Sequence, residues 1–328
     1  MADLLLIGAG FSRNWGGWLA TEAFEHLLGS PEVARYPVLR RLLWKYQGRG
    51  GFEAALAELQ SQFALYPNSD RDPLMALQGA VKQMFDDMNA AFISSTDWQF
   101  GQQLIERQIG TFLTRFDAIF TLNQDLLLEH HYANENVTLI GKKKWTGVDL
   151  PGMMPTWSQE PLHSKSWSRA IWTPLLDDNF KANDGAQPIY KLHGSSNWAR
   201  ADGQPLLIMG GAKTQELLQT PILNRYAKVF EESLTAEGAK LMAIGYGFRD
   251  DHINAAIARG VDSGLKLFII APEGAELAKL LNPTGATGPI LLEGRIEESI
   301  IGASRRGLHE IFGHDDAEFY KVMRFFAS

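Results

Sequence analysis

The chain alternates between short, continuous apolar runs and longer segments in which apolar residues return at helical spacing. Apolar runs that end at glycine or at polar residues are typical of strands buried on both faces of a parallel sheet. The predicted strands are Asp3–Ile7, Phe116–Leu122, Ile189–Leu192, Lys240–Ile244 and Lys266–Ala271. The predicted helices between them are Trp18–Leu28, Gln124–Tyr132, Thr220–Glu237, Asp251–Val261 and Ala275–Leu281. This order of elements predicts an α/β protein with a Rossmann-like, doubly wound parallel sheet.

Three segments do not follow this alternation. Residues 31–114 contain no convincing strand, and we predict a mostly helical insertion there within one domain made of residues 1–30 and 115–328. Residues 141–186 are rich in Pro, Gly, Ser, Asp and Trp, which predicts a long ordered loop or a flexible cover. The tail Ser304–Phe326 has the spacing of two short amphipathic helices.

The composition narrows the classes of function. The chain has 328 residues and a formal net charge of −7, which argues against a protein that binds nucleic acid through its phosphates. It has no cysteine, which excludes disulfides, thiol nucleophiles and thiolate zinc sites, and we expect no metal site. The amino terminus lacks the pattern of a signal peptide, and no apolar run approaches the roughly 20 residues of a membrane helix. We therefore expect a cytoplasmic protein with no nucleic-acid or membrane partner.

The first segment with chemical potential is the glycine turn Gly8-Ala9-Gly10-Phe11-Ser12, which joins a strand to a helix. Gly8 and Gly10 would let the backbone approach a pyrophosphate closely. The usual dinucleotide fingerprint needs a third glycine where this chain has Arg13. Taken alone, the turn is equally compatible with a glycine-rich connection that holds no ligand.

The second segment is Thr121-Leu122-Asn123-Gln124-Asp125, where a buried strand meets polar residues at its carboxyl end. Ligands of open parallel sheets bind at that end, so Asn123 and Asp125 are placed where a ribose or a nicotinamide would sit. The alternative is that one of them only caps the helix that begins near Leu126.

The third segment is His193-Gly194-Ser195, which follows another predicted strand. Among the eight histidines, His193 is the best candidate for a general base, because imidazole titrates near neutrality and Gly194 permits close approach by a substrate.

The fourth segment, Gly245-Tyr246-Gly247-Phe248, repeats the pattern of strand, glycine turn and helix start. It is placed to contact the adenosine half of a dinucleotide. Asp250 and Asp251 follow it, and either one has a plausible role as a cap of the next helix.

In this order and spacing, the four segments resemble the sirtuin family. The resemblance implies that Asn123, Asp125 and His193 are catalytic, with His193 as the base. It also implies that NAD+ is bound as a substrate by Gly8, Ala9, Gly10, Phe11, Ser12, Thr121, Gln124, Gly194, Ser195, Gly245, Tyr246, Gly247 and Phe248.

Protein-deacylating sirtuins carry a zinc module with four cysteines, which this chain lacks. The segment around Gly245 looks instead like bacterial sirtuin-like proteins of antiviral defence, several of which degrade NAD. The resemblance therefore implies a zinc-free NAD+ hydrolase that acts as a regulated effector of anti-phage defence. By analogy, it also implies a homo-oligomer or a partner such as an ATPase or an Argonaute-like protein. A protein deacylase or ADP-ribosyltransferase, and a non-catalytic sensor of NAD or ADP-ribose, remain as alternatives.

Overall fold

A computed structural model describes residues 2–48, 50–66, 71–133, 145–156, 166–175, 180, 182–209, 213–281 and 292–327 of the chain. The strands are β1 (Asp3–Ile7), β2 (Ala118–Thr121), β3 (Val148–Asp149), β4 (Met153–Thr156), β5 (Ile171–Pro174), β6 (Gln187–Lys191), β7 (Gly194–Ala199), β8 (Pro205–Leu207), β9 (Lys240–Ile244), β10 (Lys266–Ile270) and β11 (Ile300–Ser304).

The α-helices are α1 (Ala9–Ser12), α2 (Ala20–Gly29), α3 (Pro31–Arg35), α4 (Pro37–Tyr46), α5 (Gly51–Leu65), α6 (Arg71–Ser94), α7 (Ile109–Leu113), α8 (Leu127–His131), α9 (Lys213–Gln219), α10 (Pro221–Leu234), α11 (Asp251–Asp262), α12 (Leu292–Ser299), α13 (Leu308–Gly313) and α14 (Asp316–Met323). Segments of 3-10 helix span Arg13–Trp15, Ile105–Arg107, Gly274–Leu281 and Arg324–Phe326. In the part of the chain so described, no helix is both long enough and apolar enough to cross a membrane.

The main sheet has seven parallel strands in the order β11-β10-β9-β1-β2-β6-β3. With the edge strand β3 set aside, the chain builds outward from β1 through β2 and β6, and then from β9 through β10 and β11. This is the 3-2-1-4-5-6 order of the doubly wound fold, and the predicted fold class is confirmed. The order reverses between β1 and β9, so the ligand crevice is expected at the carboxyl ends of these two strands.

Burial explains why the central strands are mostly apolar. Leu4 to Ile7 of β1 and every residue of β9 are buried, because helices flank the sheet. All five predicted strands are present, with ends that differ by at most two residues. The sequence did not predict β11, since its five residues include Gly302 and are mostly only partly buried.

A second, smaller sheet has the strand order β4-β5-β7-β8. Together with β3, its first two strands lie within residues 141–186, so the prediction of a loop or cover there is corrected in part. These strands are at most four residues long and contain Pro155 and Pro174, which leaves no alternation for sequence analysis to detect. Residues 141–144, 157–165, 176–179 and 181 of this stretch lie outside the described residues.

The segment 31–114 contains α3 to α7, and its described residues include no strand, as expected of a mostly helical insertion. These helices and the main sheet share one hydrophobic core, in which Leu77 and Leu4 belong to the same cluster. The division of the chain into a domain and an insertion stays a prediction. The two helices predicted in the tail are present as α13 and α14.

Candidate active site

The four segments singled out in the sequence come together at the carboxyl edge of the main sheet. They follow β1, β2, β6 and β9, which are neighbours in the order β9-β1-β2-β6. Because parallel strands end at the same edge, each strand end brings one segment to the crevice.

The two glycine turns pack against each other. The amide of Gly8 donates to the carbonyl of Ile244 at 3.0 Å, and the amide of Gly10 donates to the carbonyl of Gly245 at 3.0 Å. A Cβ on Gly8 would lie 2.6 Å from the carbonyl oxygen of Gly245. Gly245 has a φ of +63°, and a Cβ there would lie 2.3 Å from the carbonyl carbon of Gly10. These glycines are therefore required by contact between the turns, independently of any ligand.

A hydrogen-bonded group of Ser12, Asn123 and Asp125 joins the first two segments. The hydroxyl of Ser12 donates to Oδ2 of Asp125 at 2.8 Å, and Nδ2 of Asn123 donates to the Ser12 hydroxyl at 2.9 Å. Ser12 and Asp125 are buried, whereas Asn123 is partly exposed. Asn123 is thus the member of the group that a ligand at the sheet edge meets first.

The alternative role of Asp125 as a helix cap holds in part. Its Oδ1 accepts the amide of Leu127, the first residue of α8, at 3.1 Å. One carboxylate therefore both fixes the start of α8 and orients Ser12. The backbone amide of Asn123 donates to Oγ1 of Thr121 at 3.0 Å, which tightens the turn between β2 and this group.

A buried ion pair that the sequence analysis missed lies next to this group. Nζ of Lys191 donates to the backbone carbonyl of Asp125 at 2.6 Å and to Oε1 of Glu129 at 2.5 Å. Burial raises the pKa of Asp125 and of Glu129 above their ordinary values, and the Lys191 ammonium opposes both shifts. The signal in the sequence was a lysine inside the otherwise apolar end of β6.

A small cavity of about 10 Å³ adjoins these side chains, and its lining includes Ser12, Asn123, Asp125, Glu129 and Lys191. That volume is about what a single water molecule requires. The cavity is therefore too small for a larger ligand, which could meet this group only from the sheet edge, where Asn123 is partly exposed.

His193 lies at the end of β6 with only 3% of its surface exposed. Its carbonyl accepts a hydrogen bond from the amide of Ile208 at 3.0 Å, which fixes its backbone against the end of β8. Gly194 has a φ of +78°, and a Cβ there would lie 2.1 Å from the carbonyl oxygen of Leu206. The glycine after His193 is thus required by the approach of β8.

The imidazole of His193 faces a second histidine that the sequence analysis did not single out. Nε2 of His193 lies 3.1 Å from Nε2 of His252, near the start of α11. Asp250, His252 and His193 each offer one ligand atom, and these atoms lie within 4.8 Å of one another. The exclusion of thiolate zinc sites from the lack of cysteine did not cover a set of this kind. The signal was Asp250 and His252 directly after the fourth glycine turn.

The other residues predicted to bind NAD+ fall into two groups, those with buried side chains and those exposed at the sheet edge. The side chains that are buried, and that pack within the fold, belong to Phe11, Thr121, Gln124, Ser195, Tyr246 and Phe248. Tyr246 donates its hydroxyl to Oδ1 of Asn254 at 2.8 Å, and its ring lies 4.7 Å from that of Phe248. In contrast, Ala9 and Gly247 are exposed at the tips of the two glycine turns. Any contact between these turns and a dinucleotide would therefore come through the backbone.

A cleft of about 330 Å³ lies at the same edge, beyond β10 and β11. Its charged lining is Arg305, Arg306, Glu318 and Lys321. Asn14, just after α1, accepts the amide of Leu308 at 2.9 Å and so joins the first glycine turn to the chain that follows this cleft.

Comparison with known families is consistent with this geometry. A family model described as a SIR2-like domain matches residues 117–282, just over half of the chain. The match spans β2 to β10 and contains Asn123, Asp125, His193 and the turn at Gly245. No curated protein matches the chain.

Proposed function

Because the chain belongs to the SIR2-like domain family, we propose that it is an NAD+ glycohydrolase that releases nicotinamide and ADP-ribose. Membership in this family indicates NAD-related activity and the use of NAD+. The observation that carries the finer proposal is the group of Ser12, Asn123 and Asp125 at the end of β1 and β2, beside His193 at the end of β6.

The residues at the sheet edge have the chemistry that NAD+ requires. Arg305 and Arg306 of the cleft offer guanidinium donors to a pyrophosphate, which would compete with their present partners Glu276 and Glu310. The partly exposed amide of Asn123 supplies a hydrogen-bonding group for a ribose hydroxyl or a water. The exposed tips of the glycine turns leave room for the ligand to extend from the cleft to Asn123.

In the proposed reaction, the bond between the nicotinamide nitrogen and the ribose carbon breaks, and its electron pair leaves with nicotinamide. The transition state has the oxocarbenium character expected of glycosidic cleavage. Water then adds to the ribose carbon and loses a proton to His193. Asn123 positions the water or the ribose, and Asp125 orients the ribose by fixing Ser12 and Asn123.

The lack of cysteine favours water over an acylated protein as the acceptor, since the chain has no thiolate zinc module of the deacylating type. We expect equal amounts of nicotinamide and ADP-ribose from NAD+ alone, measured by chromatography, with no increase on addition of acetylated peptide. Release that requires the peptide would identify a deacylase or an ADP-ribosyltransferase instead. Tight binding of NAD+ without any product would identify a sensor.

We also propose that the enzyme is a regulated effector of anti-phage defence, which acts as a homo-oligomer or with an ATPase or Argonaute-like partner. Unrestrained NAD+ hydrolysis would harm the cell that makes it. We expect turnover to rise with assembly, measured by light scattering beside product release. A fully active monomer at every concentration would contradict this regulation.

A further inference from the structure

We infer that His193, Asp250 and His252 form a site for a divalent transition-metal ion of the zinc class, and that occupancy of this site withdraws His193 from catalysis. The binding site itself is independent of the proposed function. The inhibitory effect rests on the proposed role of His193 as the base.

The two imidazole nitrogens have about the separation that a shared metal requires, and the carboxylate lies close by. The two Nε2 atoms lie 3.1 Å apart, and all three ligand atoms lie within 4.8 Å of one another. Two imidazoles on a tetrahedral zinc with bonds of about 2.0–2.1 Å place their nitrogens about 3.3 Å apart. The distance between the two nitrogens is therefore within about 0.2 Å of the value expected around a shared ion.

The position of Asp250 supports a role outside the helix cap. Asp250 is the N-cap residue of α11, yet its side chain makes no capping hydrogen bond to the first amides of the helix. Its carboxylate belongs instead to the cluster with the two histidines. A hydrogen bond between the imidazoles alone would not require a carboxylate at this place.

The start of α11, which carries Asp250 and His252, is held in place by polar contacts. Nδ2 of Asn254 donates to the carbonyl of Phe248 at 2.9 Å, and Tyr246 donates to Oδ1 of Asn254 at 2.8 Å. Phe248 adopts a φ of +50°, which a residue other than glycine rarely does. This support orients two ligands before a metal arrives.

The chemistry of the donor set selects the class of metal. Two imidazoles and one carboxylate are the protein ligands of several catalytic zinc sites, in which a fourth position stays open to water. Mg²⁺ and Ca²⁺ prefer sites made of oxygen ligands, and imidazole suits zinc and its neighbours. His193 is buried, so water competes little with a metal ion for its nitrogen.

Occupancy of the site would change the chemistry of His193. A metal bound to Nε2 of both histidines occupies the lone pair of each nitrogen and displaces the proton that a hydrogen bond between them would hold. Nε2 of His193 then no longer accepts a proton. The metal would therefore act as an inhibitor of NAD+ cleavage.

The binding test uses the full chain without NAD+. Equilibrium dialysis against ZnCl₂, with bound zinc measured by mass spectrometry, compares wild type with His252→Ala and Asp250→Asn. His314→Ala is the matched control, because His314 is exposed and lies outside the cluster. We expect one bound zinc for wild type and for His314→Ala, and an affinity at least about 10–100-fold weaker for the two site variants.

Zinc should also raise the melting temperature of wild type and not that of His252→Ala, which separates loss of the site from loss of the fold. If zinc does not bind wild type, or binds His252→Ala equally well, the site does not exist and the two histidines form a hydrogen-bonded pair only.

The inhibition test adds ZnCl₂ and then a chelator to wild type during NAD+ cleavage. We expect turnover to fall and then to recover. Undiminished turnover by the zinc-loaded protein would overturn the inhibitory role. Zinc binding by a protein that never cleaves NAD+ would leave the site intact and refute the proposed function alone.

Discussion

Asp125 holds together the side chains on which the proposed chemistry depends. Its two oxygens accept hydrogen bonds from Ser12 and from the amide of Leu127, and it is 7% exposed. The sequence placed Asn123, Asp125 and His193 near a common edge, because each follows a strand of a parallel sheet. The sequence did not reveal that Lys191 contacts the backbone of Asp125 or that His252 contacts His193. Contacts between side chains so distant in the chain leave no local pattern.

Asp125→Asn tests the cost of this buried carboxylate. Because burial raises the pKa of Asp125 above 3.8, its contribution to stability is fully present below that pH and is lost as pH rises through the folded-state pKa. We therefore expect the stability of wild type relative to Asp125→Asn to decline as the pH rises above about 4, measured by urea unfolding. Turnover should fall about 100-fold, since Asn offers only one acceptor oxygen to the two donors, the Ser12 hydroxyl and the Leu127 amide. If wild type instead becomes more stable relative to Asp125→Asn as the pH rises, the pKa of Asp125 is not raised.

At the scale of elements, the apolar runs defined the central strands because both faces of the sheet are covered. The partly exposed β11 and the short strands of the second sheet have no such pattern, so their existence depends on tertiary contacts. The glycines after β1 and β9 lie in turns, as the sequence predicted, but the structure gives a further reason for them. The sequence suggested an approach to pyrophosphate, whereas the structure shows that the turns after β1 and β9 pack backbone against backbone.

Gly245→Ala should therefore destabilise the fold. The new Cβ would lie 2.3 Å from the backbone of Gly10, at a φ of +63°. We expect a loss of more than about 2 kcal/mol in the free energy of unfolding, measured by urea denaturation.

Gly247→Ala is the matched control two residues later. Gly247 is exposed, and the nearest atom to a Cβ there is 4.0 Å away, so its stability should change by less than about 0.5 kcal/mol. Equal losses in the two variants would show that contact between the turns is not what requires Gly245.

At the scale of the whole molecule, the helical segment supports the site as well as the core. Asn89 of α6 accepts the amide of Leu126 at 2.9 Å and donates to the hydroxyl of Ser196 at 3.0 Å. It thus ties the helices of residues 31–114 to the loop after β2 and to strand β7. A helical pattern predicted these helices, but it did not show that one of them holds the loop that contains Asp125.

Asn89→Ala should loosen this connection, because it leaves the buried amide of Leu126 without an acceptor. We expect a loss of about 1–3 kcal/mol in the free energy of unfolding and a lower rate of NAD+ cleavage. Gln83→Ala, at an exposed position on the same helix, should change neither quantity appreciably. Normal stability and turnover in Asn89→Ala would mean that α6 does not support the site.

We propose that the carboxyl edge of the main sheet cleaves NAD+. The most direct measurement is nicotinamide release from NAD+ by wild type, Asn123→Ala, His193→Ala and the exposed control His314→Ala, with the fold of each checked by thermal unfolding. We predict release by wild type and His314→Ala, and a rate lower by about 10²–10⁴-fold in His193→Ala, with a loss in Asn123→Ala as well. Near-normal release by folded His193→Ala or Asn123→Ala would contradict the account.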